Sequence, residues 1–161
     1  MKENISIIMG SQSDLETVNE TINLLKKFKV SFEAKILSAH RTPKEVVKYV
    51  EAAPKKGTKI FIAAAGMSAA LAGVVASHTT LPVIGIPIET KNLKGLDSLL
   101  STVQMPPGIP VACMAIGKAG AKNAALFALE ILGISDARIR VKLINYKKQM
   151  RLKIKQIKIK I

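Results

Sequence analysis

The sequence contains a single cysteine, two histidines and no tryptophan, and aromatic residues make up only 4% of its 161 residues. Cys113 has no partner for an internal disulfide, and no Cys or His cluster has the spacing of metal ligands. No apolar run is long enough to cross a bilayer, and no series typical of a signal peptide opens the chain. The sequence therefore predicts a soluble, cytoplasmic protein without a metal centre or a membrane partner.

Acidic residues are absent from one part of the chain. Ten of the 25 Lys and Arg residues lie between Arg138 and Ile161, where there is no Asp or Glu. The preceding residues carry 15 basic and 11 acidic side chains, so the net charge of +14 belongs mainly to this end. Basic tails bind phosphate backbones non-specifically, but no aromatic stacking pattern or nucleic-acid motif accompanies this one. We expect a solvated or packing tail and no specific nucleic-acid partner.

Apolar runs alternate with segments of helical periodicity along the whole chain. The predicted strands are Ile5–Met9, Phe32–Leu37, Lys59–Ala65, Val83–Ile86 and Ile109–Ala115. The predicted helices pass through Leu15–Phe28, Thr42–Ala53, Ser68–Ser77, part of Gly95–Met105, Ala121–Leu132 and Asp136–Met150.

Strands separated by helices predict a parallel sheet with helices on both faces. The expected fold is a three-layer, doubly wound α/β sheet of the flavodoxin-like type, with strand order 2-1-3-4-5. We assign residues 1–150 to one such domain and residues 151–161 to a basic tail rich in Lys and Ile. The periodicity changes in this tail, which leaves a helical extension and an edge strand both open.

In a sheet of this order, the loops after strands 1, 2 and 3 meet at the carboxyl edge, where ligands bind. The first loop contains Ser11, Ser13 and Asp14, and such a helix start suits a phosphate or ribose. A plain helix cap accounts for one of the two serines but gives no role to the other serine or to Asp14. The position of Asp14 at a helix start favours its charged form.

The second loop has the sequence SAHRTP, from Ser38 to Pro43. Thr42 and Glu45 predict a capping box with Pro43 at the first helical position, so the start of a helix explains these three residues. It does not account for His40, which can carry protons near neutral pH, or for Arg41, whose planar fork suits a phosphate.

The third loop, from Ala64 to Ala70, has almost no bulky side chains, and its backbone N–H groups are open to a carboxylate. The residues alone favour a different explanation, the close packing of a helix on the sheet. Outside these loops, His78 is expected to cap a helix, and Cys113 to be a buried, inert thiol in strand 5. There is no nucleotide-binding glycine motif.

Several motifs in this order resemble the aminoimidazole ribonucleotide carboxylase family from about Ile5 to Met150. They are Met9–Asp14, Ser38–Pro43, Leu81–Gly85, Gly95–Leu100, Val103–Pro106, Ala115–Gly117 and Asn123–Ala125. The resemblance implies an enzyme of purine biosynthesis that assembles as a homo-octamer, acts on a ribonucleotide and needs no cofactor or metal.

The resemblance also implies residue roles. His40 would be the general acid and base, Ser11, Ser13 and Arg41 would hold the 5′-phosphate, and Asp14 the ribose. The remaining substrate contacts would come from Ser38, Ala39, Gly66, Met67, Ser68 and Leu71.

Two classes of this family differ in their substrate. Class I transfers the carboxylate of N5-carboxyaminoimidazole ribonucleotide to carbon 4, whereas class II adds free carbon dioxide to aminoimidazole ribonucleotide. Arg41 and Pro43 are similar to class I, while Ser68 and Ala70 lean towards class II, and Ala70 and Ala72 replace the usual His and Pro of class I. We favour class I, with class II and a non-catalytic nucleotide-binding module as alternatives.

Overall fold

The computed structural model describes residues 4–159, which fall into two compact units, one through Leu126 and the other from Phe127. The strands are β1 Ile5–Met9, β2 Phe32–Ile36, β3 Ile60–Ala65, β4 Val83–Pro87 and β5 Ala112–Cys113. The helices are α1 Leu15–Phe28, α2 Pro43–Lys56, α3 Leu71–Ser77, α4 Leu96–Val103, α5 Gly117–Ser135 and α6 Ala137–Gln156, and a single 3-10 turn covers Gln12–Asp14.

The five strands form one parallel sheet in the order β2-β1-β3-β4-β5, which confirms the predicted flavodoxin-like arrangement. The central strands β1, β3 and β4 are almost fully buried, because helices cover both faces and their side chains are apolar on each side. The chain therefore brings the ends of β1 and its neighbours β2 and β3 to one edge.

The helices α2 and α3 pack on one face of the sheet. Val50 and Val75 belong to a buried cluster with Ile8 and Phe61 of the strands. On α1, the Thr21 hydroxyl donates a hydrogen bond of 2.7 Å to the carbonyl oxygen of Ala121, within the part of α5 that belongs to the first unit. These contacts fix the helices whose first residues border the carboxyl edge.

Several predicted boundaries were wrong. The helix α3 begins at Leu71 and not at Ser68, and β5 covers only Ala112–Cys113 of the predicted Ile109–Ala115. Pro110, which has no N–H for the ladder, lies outside the strand. The helix α5 begins at Gly117 and runs to Ser135, beyond the predicted Ala121–Leu132 at both ends. A Cβ at Gly120 would collide with the backbone of Ala115, so the first turn of this helix requires a glycine there.

The second unit contains the end of α5 and the whole of α6. The Asp136 carboxylate caps α6 by accepting a 2.9 Å hydrogen bond from the backbone N–H of Arg138. The Arg138 side chain also pairs with it, and this hydrogen bond lowers the pKa of Asp136 to about 2. The helix continues past its predicted end at Met150 to Gln156, so the basic segment extends α6. The predicted division at residue 150 stays a prediction.

Candidate active site

A cleft of about 620 Å3 lies at the carboxyl ends of the strands. Its walls come from the loops after β1, β2, β3 and β4, as the switch in strand order requires. Every residue predicted for the site lines this one cleft: Ser11, Ser13, Asp14, Ser38, Ala39, His40, Arg41, Gly66, Met67, Ser68 and Leu71.

The loop after β1 is closed by a capping box between Ser11 and Asp14. The Asp14 carboxylate accepts a 2.9 Å hydrogen bond from the backbone N–H of Ser11. The Ser11 hydroxyl accepts from the N–H of Ser13 at 3.3 Å, and the two hydroxyl oxygens are 2.9 Å apart. Asp14 therefore has a structural role, the closing of the capping box, that the sequence analysis did not assign to it. The adjacent hydroxyls of Ser11 and Ser13 face the cleft.

Burial alters the acidity of Asp14. The residue is only 6% exposed, and loss of hydration raises the pKa of its carboxyl group. Hydrogen bonds from Ser11, Ser13 and Gly10 and the charge of Arg41 act in the opposite direction but do not outweigh burial. The backbone contacts at the helix start do favour the charged form of Asp14, as expected, but burial has the larger effect on its pKa.

The loop after β2 is held by Thr42 in a different way from the predicted capping box. Thr42 precedes α2, but its side chain makes no cap hydrogen bond to the helix. Its hydroxyl instead accepts from the N–H of Ser38 at 2.9 Å and donates to the Ser38 carbonyl oxygen at 3.1 Å. Pro43 does occupy the first turn, as predicted. The loop is thus closed on itself, and its other side chains are left for the cleft.

Arg41 joins this loop to the first one. Its Nη2 donates a 2.7 Å hydrogen bond to the carbonyl oxygen of Gly10, and its Nε donates to the Ser38 hydroxyl at 3.3 Å. A guanidinium has five N–H donors, so donors remain after these two contacts. Arg41 therefore both braces two walls of the cleft and presents a positive charge to it.

The adjacent His40 is exposed and lines the same cleft. Its imidazole makes no hydrogen bond or ion pair with any residue between 4 and 159. An imidazole in this position can accept and donate protons without first breaking a contact within the described chain.

The loop after β3 presents backbone and small side chains. Met67 adopts a left-handed conformation with φ of 60°, and its side chain is 67% exposed. Ser68 is exposed, and its carbonyl oxygen accepts a 2.8 Å hydrogen bond from the N–H of Ala70. This turn delays the start of α3 to Leu71, so residues 66–68 remain free to line the cleft.

A fourth wall, from Ile88 to Lys91 after β4, was missed by the sequence analysis. Thr90 shapes it, because its hydroxyl donates to Asp97 at 2.8 Å and accepts from the N–H of Gly95 at 3.2 Å. A Cβ on Gly66 would lie 3.5 Å from the Cγ2 atom of Thr90, so this wall adjoins the loop after β3. The sequence could have indicated this wall, because β4 lies next to β3 in the predicted strand order.

The other candidates lie outside the cleft. His78 is the C-cap residue of α3, as predicted, and its Nδ1 is 3.7 Å from a carboxylate oxygen of Glu51. Both residues line a separate hollow beside the start of β4. Cys113 lies in β5 as predicted but is only half-buried, and burial raises the pKa of its thiol.

Within residues 4–159, no group of three or more His, Cys, Asp or Glu side chains is arranged to hold a metal ion. No helix in the same range has the length and apolar character needed to cross a bilayer.

The sheet order defines a flavodoxin-like α/β protein, and the cleft lies at the carboxyl edge where such sheets usually bind ligands. The family model for AIR carboxylase matches residues 4–153. The chain therefore belongs to the AIR carboxylase family.

Curated relatives support this assignment over most of the chain. The N5-carboxyaminoimidazole ribonucleotide mutase of Saccharolobus solfataricus is 52% identical, over 91% of this chain and 92% of the relative. The mutase of the same name from Bacillus subtilis is 50% identical, over 89% of this chain and 88% of the relative.

Solved structures show the same fold. A variant of Treponema denticola PurE2 superposes with a TM-score of 0.87 at 30% identity, covering 96% of this chain and 94% of that chain. Treponema denticola PurE gives a TM-score of 0.85 at 30% identity, with 94% of each chain covered.

Proposed function

We propose that this chain is an N5-carboxyaminoimidazole ribonucleotide mutase. It converts N5-carboxyaminoimidazole ribonucleotide to 4-carboxyaminoimidazole ribonucleotide in the cytoplasmic synthesis of purines leading to IMP. The observation that carries the proposal is the meeting of the predicted loops in one cleft that contains an unengaged His40. Relatives about 50% identical over some nine-tenths of the chain bear the corresponding name.

The cleft offers suitable groups for each end of the substrate. The hydroxyls of Ser11 and Ser13 and the remaining donors of Arg41 bind the 5′-phosphate, because neutral and charged donors lie side by side there. Asp14 binds the ribose hydroxyls, since its carboxylate has acceptor capacity beyond the bond from Ser11.

The base and the carboxylate occupy the opposite part of the cleft in this proposal. Small side chains there allow a flat ring to approach the backbone closely. The residues that line this part are Ser38, Ala39, Gly66, Met67, Ser68 and Leu71.

The proposed reaction needs one group that moves a proton in both directions. Loss of carbon dioxide from the carbamate requires a proton on the exocyclic nitrogen, and attack of carbon 4 on carbon dioxide releases one from that carbon. His40 gives the first proton and takes the second, so it ends each cycle in its starting state. Retention of carbon dioxide in the cleft keeps the second step unimolecular.

The class I reading is favoured over the alternatives. Ser68, Ala70 and Ala72 depart from the usual class I pattern, but relatives that share half of this sequence are named as mutases. The same relatives argue against a non-catalytic nucleotide-binding module. Among the residues that line the cleft, Arg41 is similar to class I, whereas Ser68 and Ala70 lean towards class II.

We also propose the homo-octamer that the family resemblance implies. A run of exposed apolar side chains on and before α4 supports an interface between copies, because surfaces of this kind are usually covered. They are Leu93, Leu96, Leu100 and Val103, each about half exposed.

An assay with the two candidate substrates offered separately tests the proposed function. We expect rapid conversion of N5-carboxyaminoimidazole ribonucleotide without added bicarbonate, and slow turnover of aminoimidazole ribonucleotide with carbon dioxide. A clear preference for the second pair would replace this proposal with the class II reaction. Flavin binding without either activity would favour a binding module.

A further inference from the structure

Among residues 4–159, Lys91 is the one lysine that lines the cleft, in the wall after β4 that the sequence analysis missed. Its side chain is exposed and forms no ion pair or hydrogen bond with any residue from 4 to 159. It also lines a neighbouring hollow of about 580 Å3, which shares Ser13 and Thr90 with the cleft. Lys91 therefore stands where the cleft and this hollow adjoin.

Arg41 and Asp14, two other charged side chains of the cleft, already have local hydrogen-bond partners. Arg41 donates to Gly10 and Ser38, and Asp14 accepts from Ser11. Glu89 lies against the start of α5, because a Cβ on Gly117 would be 3.8 Å from its Oε2 atom. A carboxylate is favourable near a helix amino terminus. Lys91 is left as the cation whose charge no contact within the described chain offsets.

The charge balance of the cleft indicates that Lys91 takes part in binding an anionic ligand. Within the described part of the chain, the lining contains two carboxylates, Asp14 and Glu89, and besides Lys91 its only Lys or Arg is Arg41. A ribonucleotide with a 5′-phosphate and a carboxylate is itself strongly negative. Arg41 alone does not offset two carboxylates together with such a ligand, so a second cation is needed for favourable binding.

We propose that Lys91 is a second cationic ligand of the substrate's 5′-phosphate, acting beside Ser13. The inference rests on the proposed function and adds a binding residue to that site. Ser13 and Lys91 line both the cleft and the neighbouring hollow, whereas Ser68 and Met67 line only the cleft. This shared placement puts Lys91 on the side of the cleft that Ser13 lines, and we assign it to the phosphate end on that ground. A lysine on a flexible stem suits a contact made only when the ligand arrives.

Paired charge-removing variants test the assignment. Lys91→Gln is expected to raise KM roughly fivefold or more with kcat unchanged, because it removes one exposed charge-assisted contact. Lys94→Gln is the matched control, since Lys94 lines the neighbouring hollow but not the cleft. Lys91→Arg is expected to restore most of the lost affinity. Equal KM values for Lys91→Gln and Lys94→Gln would overturn the proposal.

A ligand that lacks the phosphate tests which part of the substrate Lys91 contacts. The product ribonucleotide and its 5′-dephosphorylated nucleoside are compared as competitive inhibitors of the parent and of Lys91→Gln. The variant is expected to weaken inhibition by the nucleotide and not by the nucleoside. A penalty of equal size for both inhibitors would overturn the assignment to the phosphate.

The proposed function and this inference fail in different ways. A parent protein that converts neither candidate substrate contradicts the function. Binding of the same nucleotide and nucleoside, measured by calorimetry, then still decides whether Lys91 contacts a phosphate. A parent that is active while Lys91→Gln behaves like Lys94→Gln contradicts only the inference.

Discussion

The guanidinium of Arg41 donates a 2.7 Å hydrogen bond to the carbonyl oxygen of Gly10, and so ties the loop after β2 to the loop after β1. The same side chain also donates from Nε to the Ser38 hydroxyl. Two walls of the cleft are therefore positioned by a residue that also presents charge to a ligand. The following expectations depend on this arrangement.

Arg41→Lys is expected to weaken ribonucleotide binding by roughly tenfold or more, because an ammonium keeps the charge but cannot make the planar, multidentate contacts. The thermal midpoint should change little, since Arg41 is exposed. Calorimetric binding of the product nucleotide beside a melting curve measures both quantities. Unchanged affinity would remove Arg41 from the phosphate site.

Asp14→Asn is expected to leave the protein at least as stable near neutral pH and to reduce substrate affinity by roughly tenfold, through loss of a charged acceptor for the ribose. The asparagine carbonyl can still accept from the N–H of Ser11. Since burial raises the pKa of Asp14, stability of the parent falls as pH rises from the usual carboxyl range through that raised pKa.

Melting curves across this pH range test the Asp14 argument. The advantage of Asp14→Asn should grow as pH rises through the raised pKa and should vanish below the ordinary carboxyl pKa. A variant that is less stable at neutral pH, by an amount that shrinks in acid, would mean that the Asp14 carboxylate is stabilising in its charged form.

His40→Asn is expected to lower kcat by about 10²- to 10⁴-fold, the usual loss when general acid and base catalysis is removed. Asparagine forms hydrogen bonds but cannot shuttle a proton. Folding and ribonucleotide affinity should stay close to those of the parent, because His40 makes no contact with the described part of the chain. His78→Asn, which changes the other histidine, is the matched control and should keep its activity. Turnover of His40→Asn within a few-fold of that control would contradict the mechanism.

Deletion of residues 151–161 is expected to change the free energy of unfolding by no more than about 0.5 kcal/mol, as for other exposed segments. All side chains from 151 to 159 are exposed, and the last buried residue of α6 is Leu143. Thermal melting and gel filtration measure the outcome. A smaller assembly after the deletion would show that the alternating Lys and Ile residues pack against another copy.

The sheet could be predicted because β1, β3 and β4 are apolar on both faces, and such runs have few other interpretations. The first residues of the helices were harder to predict. Met67 enters the left-handed region and delays α3, a local conformation that the surrounding small residues do not signal. Pro110 lies outside β5, and its lack of a backbone N–H was visible in the sequence.

The candidate site, like the fold, could be predicted only in part from the sequence. Its three loops were predicted because strand order alone brings their ends together, and all the named residues line the cleft. The spacing of Ser11 and Asp14 carries the signature of a capping box, but the sequence analysis did not use it. The sequence could not reveal that burial raises the pKa of Asp14, because burial depends on tertiary packing. The wall from Ile88 to Lys91 was within reach of the strand-order argument but was not included.

Transfer of a labelled carboxylate tests the central claim most directly. The substrate is supplied with 13C in its carbamate, and the reaction is run in unlabelled bicarbonate. The account predicts that most of the product carries 13C at the new carboxylate of carbon 4, because carbon dioxide is held in the cleft between the two steps. Product whose label has equilibrated with the bicarbonate pool during the first turnovers would contradict it.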